Sequence, residues 1–147
     1  MADTERLRLN VSAVAIDGRA LILTGKPGSG KSTLALQLID RGATLIGDDG
    51  VAEVSRGGSP VAAPPAQQRG ALEIRGVGLV TLTVTEAPAA LVLVLDETPE
   101  RLPDTLAEEC WAGIAVPRLP FDPNAPAAAL RAEHALRKFA RACIREL

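Results

Sequence analysis

The strongest constraint on this chain is an eight-residue stretch, Gly25-Lys26-Pro27-Gly28-Ser29-Gly30-Lys31-Ser32. The pattern G-x-x-x-x-G-K-[ST] requires a strand before it and a helix after it, and the flanking sequence supplies both. Residues 11–16 and 20–23 read as short strands joined by Asp17-Gly18, a pair suited to a two-residue turn with positive φ at both positions. From residue 31 to 41 the spacing turns helical, with Leu34 and Leu38, and Ala35 and Ile39, each four apart. Gly42 then offers the left-handed residue that ends a helix. Glycines let such a loop curl until its N–H groups converge on phosphate oxygens, and the helix dipole adds positive charge there. Lys31 is expected to reach the β and γ phosphates of ATP and Ser32 to hold Mg²⁺, with Thr33 completing the nucleotide-binding loop.

Further strands are expected at 43–46, 51–55, 72–75, 79–85, 91–95 and 114–116, and a short helix at 104–111. The proline-bearing stretches 62–68 and 117–126 read as loops. A long helix is expected over 127–146, with Leu130, Leu136, Phe139 and Cys143 as its buried line. The 147 residues are expected to form one α/β domain with much antiparallel pairing. With two Phe, one Trp and no Tyr, the core must be aliphatic, and aromatic platforms for single-stranded nucleic acid are not expected. A formal charge of −2 argues against nucleic-acid binding more broadly.

The aliphatic run at 89–95 is too short to span a membrane, and the charged N-terminus has no apolar stretch behind it. Cys110 and Cys143, without CxxC spacing, read as free thiols, so a cytoplasmic location is expected. His134 reads as a surface or packing residue, Trp111 as core or interface, and the basic residues between 131 and 145 as a solvated helix face.

A loop of this kind works with an acidic residue at a strand end. Two places qualify: Asp96, followed by Glu97, after the apolar strand 91–95, and Asp48-Asp49, directly after the strand that follows the loop helix. Adjacent carboxylates repel each other, which favours cation binding and can raise one of them toward general-base chemistry. The Asp17-Gly18 hairpin gives the strand before the loop an antiparallel partner, unlike the mostly parallel sheets of ordinary P-loop proteins, and this favours Asp48-Asp49.

The loop, followed by Leu34-Ala35-Leu36, Asp40-Arg41-Gly42-Ala43 and Gly47-Asp48-Asp49, resembles the catalytic core of the HPr kinase/phosphorylase family. Leu72-Glu73-Ile74-Arg75-Gly76-Val77-Gly78 is similar to that family's second signature, and the two motifs stand in the family's order over residues 10–80. The resemblance implies a P-loop kinase core with a mixed, largely antiparallel sheet, similar to phosphoenolpyruvate carboxykinase. It implies ATP- and Mg²⁺-dependent phosphorylation of a serine on HPr, a phosphocarrier of the sugar phosphotransferase system. Phosphorolytic removal of that phosphate and assembly as homo-oligomers, commonly hexamers, are implied as well.

By that resemblance Asp48 is the base that takes the serine proton and Lys31 a catalytic cation. Asp49 and Glu73 support the metal with Ser32, and Arg75 meets developing phosphoryl charge. Glu73 and Arg75, two apart on an expected strand, would share one face. The chain departs from the family at Ser12, where a His is frequent, and at Thr33, where an acid is frequent; Arg118 is a loose match to a C-terminal arginine. The alternatives are a conventional P-loop ATPase or small-molecule kinase using Asp96, and a nucleotide-sensing module without phosphoryl transfer.

Overall fold

The computed structural model describes residues 5–67 and 69–140. Its elements are β1 (Glu5–Leu9), β2 (Val11–Ile16), β3 (Arg19–Thr24), α1 (Lys31–Asp40), β4 (Thr44–Gly47), β5 (Gly50–Arg56) and β6 (Ser59–Ala63). There follow β7 (Ala71–Ile74), β8 (Gly78–Thr81), β9 (Ala87–Val94), β10 (Ala107–Trp111), β11 (Ile114–Pro120) and α2 (Ala128–Phe139). The main sheet runs β1-β5-β6-β9-β3-β2-β4, with β11 added on β9 and β10 on β11; β7 and β8 form a separate two-stranded hairpin. Among the strand pairs of the described residues only β3–β9 and β9–β11 are parallel, so the expected mixed, largely antiparallel α/β architecture is what the chain adopts.

The β2–β3 hairpin forms as its turn residues dictate, with Asp17 and Gly18 at φ 52° and 76°. Beside it, the period-two alternation of the central strands divides the core. Leu21 and Leu23 of β3 and Leu91 and Leu93 of β9 face α1 and α2, where Leu34, Leu38, Ala132 and Leu136 meet them. Ile22, Val92 and Val94 point to the opposite face and pack on Val51, Ala62, Trp111 and Val116, because the sheet curls back over itself. Each fully buried leucine contributes about 2 kcal/mol by area, and the leucines of both central strands are fully buried.

Three sequence expectations change, and one strand was not foreseen. The segment expected as a helix at 104–111 contains strand β10 instead; its Ala and Glu favour a helix, but Ala112-Gly113, with φ 52° and 83°, turns it into a hairpin with β11. β11 continues through Pro117 and Pro120, and β6 takes in Ala62 and Ala63, where loops were expected. The N-terminal segment forms edge strand β1, paired antiparallel with β5. On α2 the buried line is Ala128, Ala129, Ala132, Ala135 and Leu136, whereas Leu130 is 43% exposed. Cys143, Arg141 and Arg145 lie outside the described residues.

Trp111 is fully buried and its indole N–H donates to the Val61 carbonyl at 2.9 Å. His134 is exposed. Among the described residues no helix is long and apolar enough to cross a membrane.

Arg8 ties β1 to this region. Its guanidinium lies 4.5 Å from the Trp111 ring centroid and pairs with Glu53 of β5 and Glu109 of β10. Burial alone would push the Glu53 carboxyl up. Hydrogen bonds from Arg8 and the Ala112 N–H, with the charges of Arg8 and Arg6, outweigh it and hold the carboxyl below its ordinary value. A depressed carboxyl adds stability above its unfolded pKa and loses that stability as pH falls through the folded one. Glu53→Gln is therefore expected to cost about 2 kcal/mol at neutral pH. It should also flatten the loss of stability on acidification below the ordinary carboxylate range, read from denaturant midpoints at falling pH.

Candidate functional site

The phosphate loop leaves the end of β3 and enters α1 at Lys31, as the motif requires. Gly30 sits at φ 104°, a left-handed conformation that a residue with a Cβ adopts only under strain, and it hands the chain directly into the helix. Lys31 is 5% exposed, and its ammonium donates to the carbonyls of Gly25 at 2.8 Å and Lys26 at 3.1 Å. A buried cation without a counter-charge needs such acceptors. The Ser29 hydroxyl is enclosed in the loop with no hydrogen-bond partner among the described residues.

The two acidic candidates occupy different places. Asp96 follows β9, the parallel neighbour of β3, and accepts the Lys26 backbone N–H at 3.1 Å, supporting the loop along its own backbone. It does not line the cavity in front of the loop. Asp48 and Asp49 lie in the tight turn from β4 to β5 and open into that cavity.

Asp48 Oδ1 accepts hydrogen bonds from Ser32 Oγ at 2.7 Å and from Ser12 Oγ at 2.9 Å. Ser12, on β2 and fully buried, also accepts the Asp49 backbone N–H at 3.3 Å. One buried hydroxyl thus holds both halves of the acidic turn, and the Asp49 backbone takes φ 59° in doing so. The turn also depends on Gly47, where a Cβ would fall 2.2 Å from the Gly50 carbonyl oxygen.

The cavity has a volume of about 580 Å³, within the range of small-molecule sites. Pro27, Gly28, Gly30, Lys31, Ser32 and Thr33 come to it from the loop and α1. Leu72, Glu73, Ile74 and Arg75 line it from the β7–β8 hairpin. Arg75 lies one residue past β7, in the turn and not on the strand, so the shared strand face expected for the two residues is not what brings them together. Both are exposed, and among the described residues neither joins an ion pair.

Gly25, Lys26 and Ser29 do not line the cavity. Arg118 is engaged by Glu97 at 2.8 Å and Glu109 at 3.4 Å and is not part of the lining. Asn10, Pro123 and Asn124 also line the cavity, and the sequence reading passed over all three. The last two reach it because β11, one strand beyond β9 in the sheet, runs parallel to β3, an order that the proline-bearing segment after β11 does not announce.

Among the described residues no three His, Cys, Asp or Glu side chains converge as a metal cage. The donors at the start of α1 are a hydroxyl and a carboxylate 2.7 Å apart, with Asp49 alongside. That set is hard and oxygen-based and suits Mg²⁺, which binds through one or two carboxylates together with substrate phosphates. A glycine loop feeding a helix, with its acidic turn reached across an antiparallel neighbour, defines a P-loop-containing kinase fold.

The sequence matches the profile of the HPr Serine kinase C-terminal domain over residues 3–86, more than half of the chain. The chain belongs to that family. It is similar to the HPr kinase/phosphorylase of Clostridium botulinum, 40% identical over 76 residues that make up 52% of this chain and 25% of that protein. Its similarity to the enzyme of the same name from Azoarcus is 30% over 131 residues, 78% of this chain and 42% of that protein. The chain thus spans about a quarter of the length of the Clostridium relative. Its fold is similar to the structure of the Hpr(Ser) kinase/phosphatase from Coxiella burnetii, with a TM-score of 0.73 and 25% identity over 90% of this chain and 92% of that one.

Proposed function

We propose that this chain is a protein-serine kinase core that transfers the γ-phosphoryl group of ATP to a small phosphocarrier protein of the HPr type. The observation that carries this reading is the position of Asp48, which shares a cavity with the phosphate loop and is held there by Ser12 and Ser32. Lys31 leaves the Gly25 and Lys26 carbonyls for the β and γ phosphates, and the loop amides take the remaining oxygens. Ser32 and Asp49 would hold Mg²⁺, with Glu73 as a further oxygen donor. When bound, the ion neutralises charge shared by the β and γ phosphates.

Asp48 takes the proton of the incoming serine hydroxyl as its oxygen bonds to phosphorus and the bridging bond to ADP breaks. Arg75, uncommitted on the opposite wall, offsets the charge on the equatorial oxygens. With inorganic phosphate attacking a phosphoserine, the same carboxyl gives the proton back and pyrophosphate leaves, which is the phosphorolytic direction. The reaction belongs in the cytoplasm, and a homo-oligomer is the expected working form.

The test is label transfer from γ-labelled ATP, with Mg²⁺, to purified HPr. Label on a serine of HPr that disappears when magnesium is chelated is the expected result. Tight ATP binding with no label on HPr under any condition would sink the kinase reading in favour of a nucleotide-sensing module.

A further inference from the structure

The kinase reading leaves one side of the cavity without a role. Thr33 and Gln37 lie one helical turn apart on the same face of α1. Thr33 lines the phosphate cavity, whereas Gln37 lines a second hollow of about 490 Å³. Pro123 and Asn124 line both hollows. The Pro123 ring stands so near Gly30 that a Cβ there would meet it at 3.4 Å. The second hollow therefore opens directly beside the phosphate loop, across a sill made by Pro123 and Asn124.

The sheet explains why the sill lies there. β11 runs parallel to β9, and β9 runs parallel to β3. All three strands deliver their C-terminal ends to one rim, the side on which α/β sheets bind ligands. The acidic turn lies on the other side of β3, beyond β2. The phosphate loop thus has a transfer side at Asp48 and an opposite side at Asn124.

The chemistry of the two hollows differs in a way that sorts the parts of a nucleotide. Arg41 is the one cation lining the second hollow, and its Nε and Nη2 are both committed to Glu133, at 2.9 and 3.0 Å. Asp40 adds an exposed carboxylate to the lining. Such a lining offers no unpaired cation for a phosphate. It offers an apolar floor at Ala127 and Leu130, the latter 43% exposed, and polar edges at Gln37 and Asn124. The exposed Asn124 carboxamide makes no hydrogen bond among the described residues, so its donor and acceptor both remain available. A flat, uncharged group with an amine-and-imine edge matches this lining, with hydroxyls that Asp40 and Gln37 can bind.

Resting on the phosphate-loop reading above, we infer that the β11–α2 loop and the Gln37 face of α1 form the nucleoside subsite. Asn124 reads the edge of a purine base, and Gln37 and Asp40 take the ribose hydroxyls.

The test compares magnesium complexes of ATP and of inorganic tripolyphosphate, which carries the phosphates without the nucleoside. Dissociation constants are measured by calorimetry for wild type, Asn124→Ala and Gln37→Trp, the last filling the hollow from an exposed helix position. Both variants should weaken ATP roughly tenfold, or about 1.4 kcal/mol, and leave tripolyphosphate unchanged. Unaltered ATP affinity in both variants, or equal losses for ATP and tripolyphosphate, would overturn the subsite while leaving the phosphate loop intact. A wild-type protein that binds neither ligand would overturn the phosphate-loop reading and the subsite together.

Discussion

Asp48→Asn is expected to lower the rate of phosphoryl transfer to HPr by roughly a thousandfold at saturating ATP, within the span usual for a general base. The replacement keeps the size of the side chain and an oxygen for the Ser12 and Ser32 hydroxyls, which now donate to Oδ1 at 2.9 and 2.7 Å. What it removes is the negative charge and the capacity to take a proton. ATP affinity should therefore change only a few-fold, since the loop amides and Lys31 are untouched. Asp96→Asn provides the contrast. That carboxylate accepts the Lys26 N–H and does not reach the cavity, so its replacement should weaken nucleotide binding more than turnover. Should Asp48→Asn retain transfer within tenfold of wild type while Asp96→Asn abolishes it, the acid of this site has been assigned to the wrong strand.

The second large effect is on folding. Replacing Gly47 by alanine would place a methyl carbon 2.2 Å from the Gly50 carbonyl oxygen and 3.2 Å from Pro65 Cδ. Backbone cannot yield there without opening the turn from β4 to β5, so the expected cost is about 3 kcal/mol, or roughly 10 °C in Tm for a chain of this size. The acidic turn moves with it, and transfer activity should fall further than stability accounts for. Gly50→Ala is the matched control. The nearest atom to a Cβ there is Leu7 Cδ1 at 3.8 Å, an ordinary contact, and its melting temperature should stay within a few degrees of wild type. Equal destabilisation by both replacements would contradict the close approach at Gly47.

These two glycines also show what the sequence could and could not say. Gly25 to Ser32 announced both the loop and the elements around it, because that spacing has few other structural uses. The Asp17-Gly18 turn was legible for the same reason, since few residue pairs tolerate its backbone. Close approach at Gly47 was not legible, because it depends on a carbonyl three residues away in a turn whose shape no local preference dictates.

Strand β10 was misread because Ala107, Glu108 and Glu109 favour a helix in isolation, and only pairing with β11 overrides them. The sequence marked Ser12 as a departure from the family pattern, but its buried position between Asp48 and the Asp49 N–H became visible only once β2 was set beside β4. Pro123 and Asn124 were hidden differently. Their importance comes from the parallel order of β3, β9 and β11, which a proline-rich segment cannot encode by itself.

The parallel pairing of β3 with β9 bears on how the molecule can be cut. The recognisable family segment ends at residue 86, and β9 begins at Ala87. A fragment trimmed to that segment would keep every signature residue yet strip Leu21, Ile22 and Leu23 of the neighbour that covers their strand edge. Such a piece would expose an apolar ribbon primed to associate with copies of itself. The portion most easily recognised by its letters is therefore not a unit that can stand alone.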